Sequence, residues 1–215
     1  MDNSKKGIFL TVEGPDGSGK TTQVKLLVTL LKEKGYDVVQ TREPGGSPIA
    51  EKLRALVLGE VMTPMAELLV FAAARAEHMA RTIMPALEEG KIVVSDRFSD
   101  SSYAYQGMGR GYEAEVLQLE TMVQKGFQPK YTLFFDMSLV ESNKRLAARS
   151  EETNHLDGES EAFKRRVYRG YLKRYVNNKD RMIYINASGE VDMVALRVAN
   201  WINNHFIPSH PPQHS

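Results

Sequence analysis

The stretch Gly14-Pro15-Asp16-Gly17-Ser18-Gly19-Lys20-Thr21-Thr22 follows directly on the apolar run Ile8-Phe9-Leu10-Thr11-Val12 and leads straight into a helical pattern. A strand, a glycine loop and a helix in that order restrict the fold strongly, because they bring a helix N-terminus and several backbone N–H groups around one point. Such a loop, the P-loop, suits a polyphosphate. The glycines let successive amides turn inward, Lys20 can reach the β and γ phosphates, and the Thr21 hydroxyl can ligate Mg²⁺. The pattern implies a bound nucleoside triphosphate. A plain glycine-rich turn is the alternative, and both flanks argue against it.

The rest of the chain alternates in the same way. Short β-rich runs over 8–13, 38–42, 92–96, 132–136 and 182–186 are separated by segments with helical spacing. The spacing predicts helices over 19–34, 49–58, 64–89 with a bend before Pro85, 114–125, 141–149, 161–177 and 191–204. This alternation predicts an α/β fold of the P-loop NTPase type: three layers, with a five-stranded, mostly parallel sheet flanked by helices. One domain over 1–206 is expected, with a polar lid at about 145–161 that contains Gly158 and a frayed, proline-rich tail over 207–215.

In an open parallel sheet, ligands bind beyond the carboxyl ends of the strands, and the remaining motifs sit there. Arg42-Glu43-Pro44-Gly45-Gly46 follows the second strand and Asp96-Arg97 ends the third. Asp96 stands where a P-loop protein holds the Mg²⁺ shell, a capping aspartate being the plain alternative. Arg97 beside it can face a transferred phosphate or form a structural ion pair. Arg42, Arg54, Arg75, Arg97 and Arg110 form an arginine supply suited to a second anionic ligand, since guanidinium grips phosphate bidentately and stays charged. Phe71 and Arg75, four apart on one helix face, can offer a plate and a donor fork to a planar base, although Phe71 alone reads as core. The segment 96–107 packs hydroxyls, phenols and an amide together, either as a specificity loop or as a capped helix presenting Ser102, Tyr105 and Gln106.

Composition narrows the partners. With 28 basic and 27 acidic residues the net charge is +1, which gives no global attraction to nucleic acid. Cysteine is absent, so thiolate zinc sites, disulfides and thiol nucleophiles are excluded, and any metal is expected on oxygen ligands in a reducing cytoplasm. No apolar stretch approaches the roughly 20 residues of a membrane span. Residues 1–7 are polar, without the apolar centre of a signal peptide.

Taken together, Glu13 to Thr22, Thr41-Arg42-Glu43-Pro44-Gly45-Gly46, Phe71-Ala72-Ala73-Ala74-Arg75 and the Asp96-Arg97-Phe98 to Gly107 segment resemble the bacterial thymidylate kinase family, from about Gly7 to about Ile202. The resemblance implies Mg-ATP as phosphoryl donor, dTMP as acceptor, a mobile lid and a homodimer. By position it implies that Gly14 to Thr22 hold ATP and that Phe71 stacks on thymine. Arg75 would bond the base edge, with Ser102 and Gln106 completing the pocket. Tyr105 would crowd the 2′ position, and Asp16 would sit near the acceptor 3′-hydroxyl. Arg42, Arg54 and Arg97 would surround the acceptor phosphate, with Glu43 and Pro44 shaping that end. Family members without an arginine inside the P-loop supply one from the lid. Here the P-loop position is Gly17 and His155 stands at the expected lid position, leaving Arg149, Arg145 or His155 as the cation, with Arg149 favoured. Phe98 replaces a commoner tyrosine, with little consequence expected.

Other classes fit parts of this pattern. A kinase for a dUMP-like or modified pyrimidine monophosphate is the nearest, because a pocket for one methyl group discriminates by only ~1–3 kcal/mol. A P-loop ATPase or switch would not need the second arginine set. A non-catalytic nucleotide binder would not need Lys20, Thr21, Asp96 and Arg97 together.

Overall fold

The computed structural model describes residues 7–148 and 158–206. Five parallel strands, β1 (Ile8–Glu13), β2 (Val38–Arg42), β3 (Ile92–Asp96), β4 (Tyr131–Asp136) and β5 (Met182–Asn186), form one sheet in the order β2-β3-β1-β4-β5. The sheet expected as mostly parallel is therefore wholly parallel among the described residues. A parallel sheet covered on both faces needs apolar strands rather than alternating ones, and every residue of β1 is buried.

Side chains still alternate between faces, and this sorts the core into layers. Ile8, Leu10 and Val12 face one side, packing with Val24, Leu27 and Leu31 of α1 (Lys20–Glu33) and with Val194, Val198 and Ile202 of α9 (Val191–His205). Phe9 and Val93 face the other side, against Met79, Ile83 and Leu87. A third cluster joins Phe134 of β4 to Phe163, Val167 and Tyr171 of α8 (Glu161–Asn177). Burying a leucine or phenylalanine contributes about 1.5–3 kcal/mol, so these layers dominate the fold's stability.

The long helix expected over 64–89 is present with its bend resolved. It runs as α3 (Pro64–His78), a π-helical turn (Met79–Ile83) and α4 (Met84–Glu88). Pro85 has no N–H to donate and its ring crowds the carbonyl four residues back, so a widened turn ahead of it is the physical answer. The other helices are α2 (Pro48–Gly59), α6 (Glu113–Gln124) and α7 (Leu139–Ala147), all within two residues of expectation. Within segment 96–107, Asp96 closes β3 and the chain is helical rather than looped from Ser99 onward, as α5 (Ser99–Ser102) continued by a π-helical run (Tyr103–Gly109). Most of the expected lid, including Arg149 and His155, and the tail lie outside the described residues. Among the described residues no helix is long and apolar enough to cross a membrane.

Candidate functional site

The P-loop leaves β1 and closes onto α1 in the expected order. Gly14 shows why the loop needs glycine. It has φ +148°, and a Cβ there would lie 2.4 Å from the Phe135 carbonyl oxygen. Lys20 is buried, and its Nζ donates to the Pro15 carbonyl at 2.7 Å and to Ser18 Oγ at 3.4 Å. Burial, and next the nearby Arg97 charge, lower its pKa to about 8. Thr21 Oγ1 donates to Asp96 Oδ2 at 2.7 Å, so the two proposed metal ligands stand together although 75 residues apart.

One cavity of about 560 Å³ opens over this loop, lined by Asp16, Gly17, Gly19, Lys20, Thr21 and Thr22 at one end. Phe71, Arg75, Ser102, Tyr105 and Gln106 line the other end. Between them lie Arg42, Glu43, Pro44, Arg54, Asp96 and Arg97. Phe71 is half-buried in this wall, so the core reading for it does not hold. Of the expected residues, Gly14, Pro15 and Ser18 do not line the cavity. Arg145 lies at the outer rim, donating to Glu141 and Gly189 O at 2.7 Å and to Ala187 O at 3.3 Å. A Cβ on Gly19 would be 3.9 Å from its Nη1, which puts Arg145 beside the P-loop.

Arg97 occupies the junction of the two ends. Its Nη1 donates to Ser101 Oγ and Tyr171 Oη at 2.9 Å and to Gly14 O at 3.2 Å, while Nη2 pairs with Asp16. Tyr105 Oη donates to the other Asp16 oxygen at 2.5 Å. Burial and the Asp16 charge push the Tyr105 phenol upward. The Arg97 backbone is held in the left-handed region at φ 74°, strain that only a well-determined site sustains.

Beneath Arg97 lies Glu13, fully buried, accepting from Phe98 N at 2.7 Å and Ser101 Oγ at 2.6 Å. Burial, and then the neighbouring Asp100, push its pKa up to about 8. Burial acts the same way on Asp100, but Arg181 and Arg174 bonded to it outweigh that effect and bring it to about 2.

The acceptor end is wired through a buried chain that sequence reasoning did not find. Thr41 Oγ1 and His78 Nε2 are 2.7 Å apart, and His78 Nδ1 is 3.0 Å from Glu43 Oε1. Arg75 Nε donates to Glu43 Oε2 and its Nη2 to Ser102 Oγ, both at 2.8 Å. Arg75 is thus a held, charge-balanced donor rather than a loose phosphate clamp. Arg110 does not line the cavity. It pairs with Glu67 at 3.1 Å and Glu159 at 2.5 Å, correcting its place in the phosphate-gripping set. Glu67 and Ser101 carried a usable signal, each a polar residue four positions from a site residue, Phe71 and Tyr105, while His78 and Tyr171 have no site residue at that spacing.

A P-loop on a parallel sheet, sharing one cavity with an aromatic ring and a set of arginines, has the make-up of a phosphotransferase of the nucleoside monophosphate kinase class. A sequence model of the thymidylate kinase family matches residues 12–198. The chain is 46% identical over 194 residues to a thymidylate kinase of a Geobacillus species, covering 88% of this chain and 92% of that protein. It is 45% identical over 185 residues to the thymidylate kinase of Mesoplasma florum, covering 84% and 88%. A crystal structure of thymidylate kinase from Ehrlichia chaffeensis superposes with a TM-score of 0.75 at 33% identity, covering 92% of this chain and 99% of that one. This chain belongs to the thymidylate kinase family.

Proposed function

We infer that the protein transfers the γ-phosphoryl group of ATP to dTMP, giving dTDP and ADP, a step toward dTTP. The observation that carries this reading is that Phe71 and Arg75 share one continuous cavity with Lys20, so a base held between them projects its phosphate toward the P-loop.

Phosphoryl transfer through a loose transition state asks mainly for alignment and charge dispersal. An acceptor phosphate oxygen is already nucleophilic near neutral pH, so no general base is assigned. The barrier that remains is repulsion between two polyanions. Lys20 and the P-loop amides at one end, with Arg97, Arg42 and Arg54 between the ends, are there to screen it. Arg42 is half-exposed and paired to Glu51 at 3.0 Å, while Arg54 Nη1 donates to Pro44 O at 2.8 Å. The ties of Asp16 to both Arg97 and Tyr105 support a role for it beside the acceptor sugar.

Thr21 and Asp96 suit Mg²⁺: both offer oxygen, and no group of three or more His, Cys, Asp or Glu side chains among the described residues forms a protein-only cage. That is the donor set of an ion carried in with a nucleotide. When bound, the ion would neutralise β- and γ-phosphate charge. Arg145 at the rim flanks the donor nucleotide, and a lid over about 145–161 closes across the γ-phosphate and excludes water, with Arg149 as its cation. Replacing Arg149 with Ala should then slow transfer more than replacing His155. The homodimer is supported by exposed Leu56, Leu69, Leu117 and Met122 on α2, α3 and α6, helices packed one on the next, and sedimentation velocity tests it.

The deciding assay measures ADP formation from Mg-ATP with dTMP, dUMP, dCMP, dGMP and dAMP side by side. Turnover highest with dTMP is expected. Equal ADP formation with and without any monophosphate would make the protein an ATPase instead.

A further inference from the structure

Two hydrogen-bonded rungs cross from α3 to the facing helical segment. Glu67, Phe71 and Arg75 succeed one another at four-residue spacing on α3, and Ser102 and Gln106 are four apart opposite them. Arg75 bonds Ser102 at 2.8 Å and Gln106 Nε2 donates to Glu67 Oε1 at 2.8 Å, with Phe71 on the turn between. Glu67 is 2% exposed, and its second oxygen accepts from Arg110 Nη2 at 3.1 Å.

We propose that Glu67 is a positioning residue for base selection: it fixes the Gln106 amide so that the pocket accepts bases with a ring N–H beside a carbonyl and rejects those with the reverse pattern. This rests on the assignment of a pyrimidine deoxynucleoside monophosphate as acceptor. A carboxylate paired to a guanidinium can only accept hydrogen bonds, so the amide group of Gln106 must turn its NH₂ toward Glu67. That leaves Gln106 Oε1, an acceptor, for the cavity, and among the described residues no donor occupies it. Arg75 is held at Nε by Glu43 and at Nη2 by Ser102, so Nη1 is the donor left for a ligand. The pocket edge therefore presents one acceptor and one donor. Thymine and uracil, with N3–H and O4, complement both. Cytosine, with a bare N3 and an N4 amino group, opposes both at the same size. An unpaired buried polar group is more costly than a lost contact, so the rejection is steep.

Arg110 has a place in this device. It occupies the far oxygen of Glu67 and also pairs with Glu159 at 2.5 Å, which stops the carboxylate from rotating to release the amide. The 5-methyl group is not read by these rungs, so dTMP and dUMP are separated elsewhere.

The test compares kcat/KM for dTMP and dCMP in the wild-type protein and in Glu67→Gln, whose amide can donate or accept and so lets Gln106 turn over. The dTMP-to-dCMP ratio should fall at least about tenfold, through a higher KM for dTMP and a lower KM for dCMP, with KM for ATP unchanged. A merely structural role would lower turnover on both acceptors and leave the ratio intact, and that result overturns the proposal. If Glu67→Gln does not fold, as judged by circular dichroism, the wild-type protein labelled with ¹⁵N in its glutamine side chains decides. The Gln106 amide pair, identified by its loss in Gln106→Leu, should be protected from solvent exchange before and after dTMP addition. Fast exchange in either state overturns the proposal. A wild-type protein with no preference for dTMP over dCMP would instead remove the acceptor assignment itself.

Discussion

The two ends of the cavity are built differently. At the acceptor end almost every polar group is already satisfied within the protein: Arg75 by Glu43 and Ser102, Glu43 by His78, and Gln106 by Glu67. At the donor end Thr21 and Thr22 are exposed, and Arg145 stands at the rim on carbonyls of the loop after β5. A base is recognised by shape and by the direction of a few hydrogen bonds, which requires side chains that cannot turn. A triphosphate is recognised by backbone N–H groups and charge, which glycines and one lysine supply with little further support. The difference teaches that selectivity and phosphate grip are separable here, and that they meet at Arg97.

The strongest way to break this picture is at the junction. Arg97→Ala should keep the fold and ATP binding while lowering kcat by something like ~10²-fold or more, since a charge-stabilising donor is lost. Unchanged steady-state turnover would remove Arg97 from the chemistry. Next in size, Phe71→Ala should raise KM for dTMP about tenfold or more, from the lost burial of an aromatic ring against the base, with KM for ATP within about twofold. Equal effects on both constants would erase the separation of the two ends.

The donor end can be sharpened by pH. Lys20 has its pKa lowered to about 8, so in the free enzyme it is charged below that value and loses its proton above it. The kcat/KM for ATP should therefore be level below pH 8 and fall by up to about tenfold per unit above it. A profile level to pH 9.5 would mean that Lys20 stays charged throughout.

The smallest effect concerns stability beneath the junction. Glu13, raised to about 8 when folded against an ordinary 4.5, holds a proton in the native state that the unfolded chain has released between those values. Its contribution is complete below pH 4.5 and is lost as pH rises through 8, at up to about 1.4 kcal/mol per unit. Chemical denaturation at several pH values should show that decline, and Glu13→Gln should flatten it.

Much of this was legible in the residues, and the reasons differ by element. Strands such as Ile8–Glu13 are short apolar runs between glycine-rich turns, so their positions follow from composition and local pattern. The P-loop is contiguous and announces its chemistry. Phe71 and Arg75 were found because helical spacing predicts a shared face. His78 and Tyr171 were missed because their partners are Glu43 and Arg97, 35 and 74 residues away by chain number, and no local pattern encodes such pairs. Arg110 was misassigned for the same reason: a charged residue near a site is read as facing the ligand unless its buried partner is known.

The left-handed backbone at position 97 carries an evolutionary consequence. Glycine is the residue that conformation favours, so mutation toward glycine there would ease the local backbone while discarding the guanidinium. Relief of the backbone would come only with loss of the bonds to Asp16, Ser101, Tyr171 and Gly14, so two separate losses, of stability and of catalytic charge, weigh against that exchange.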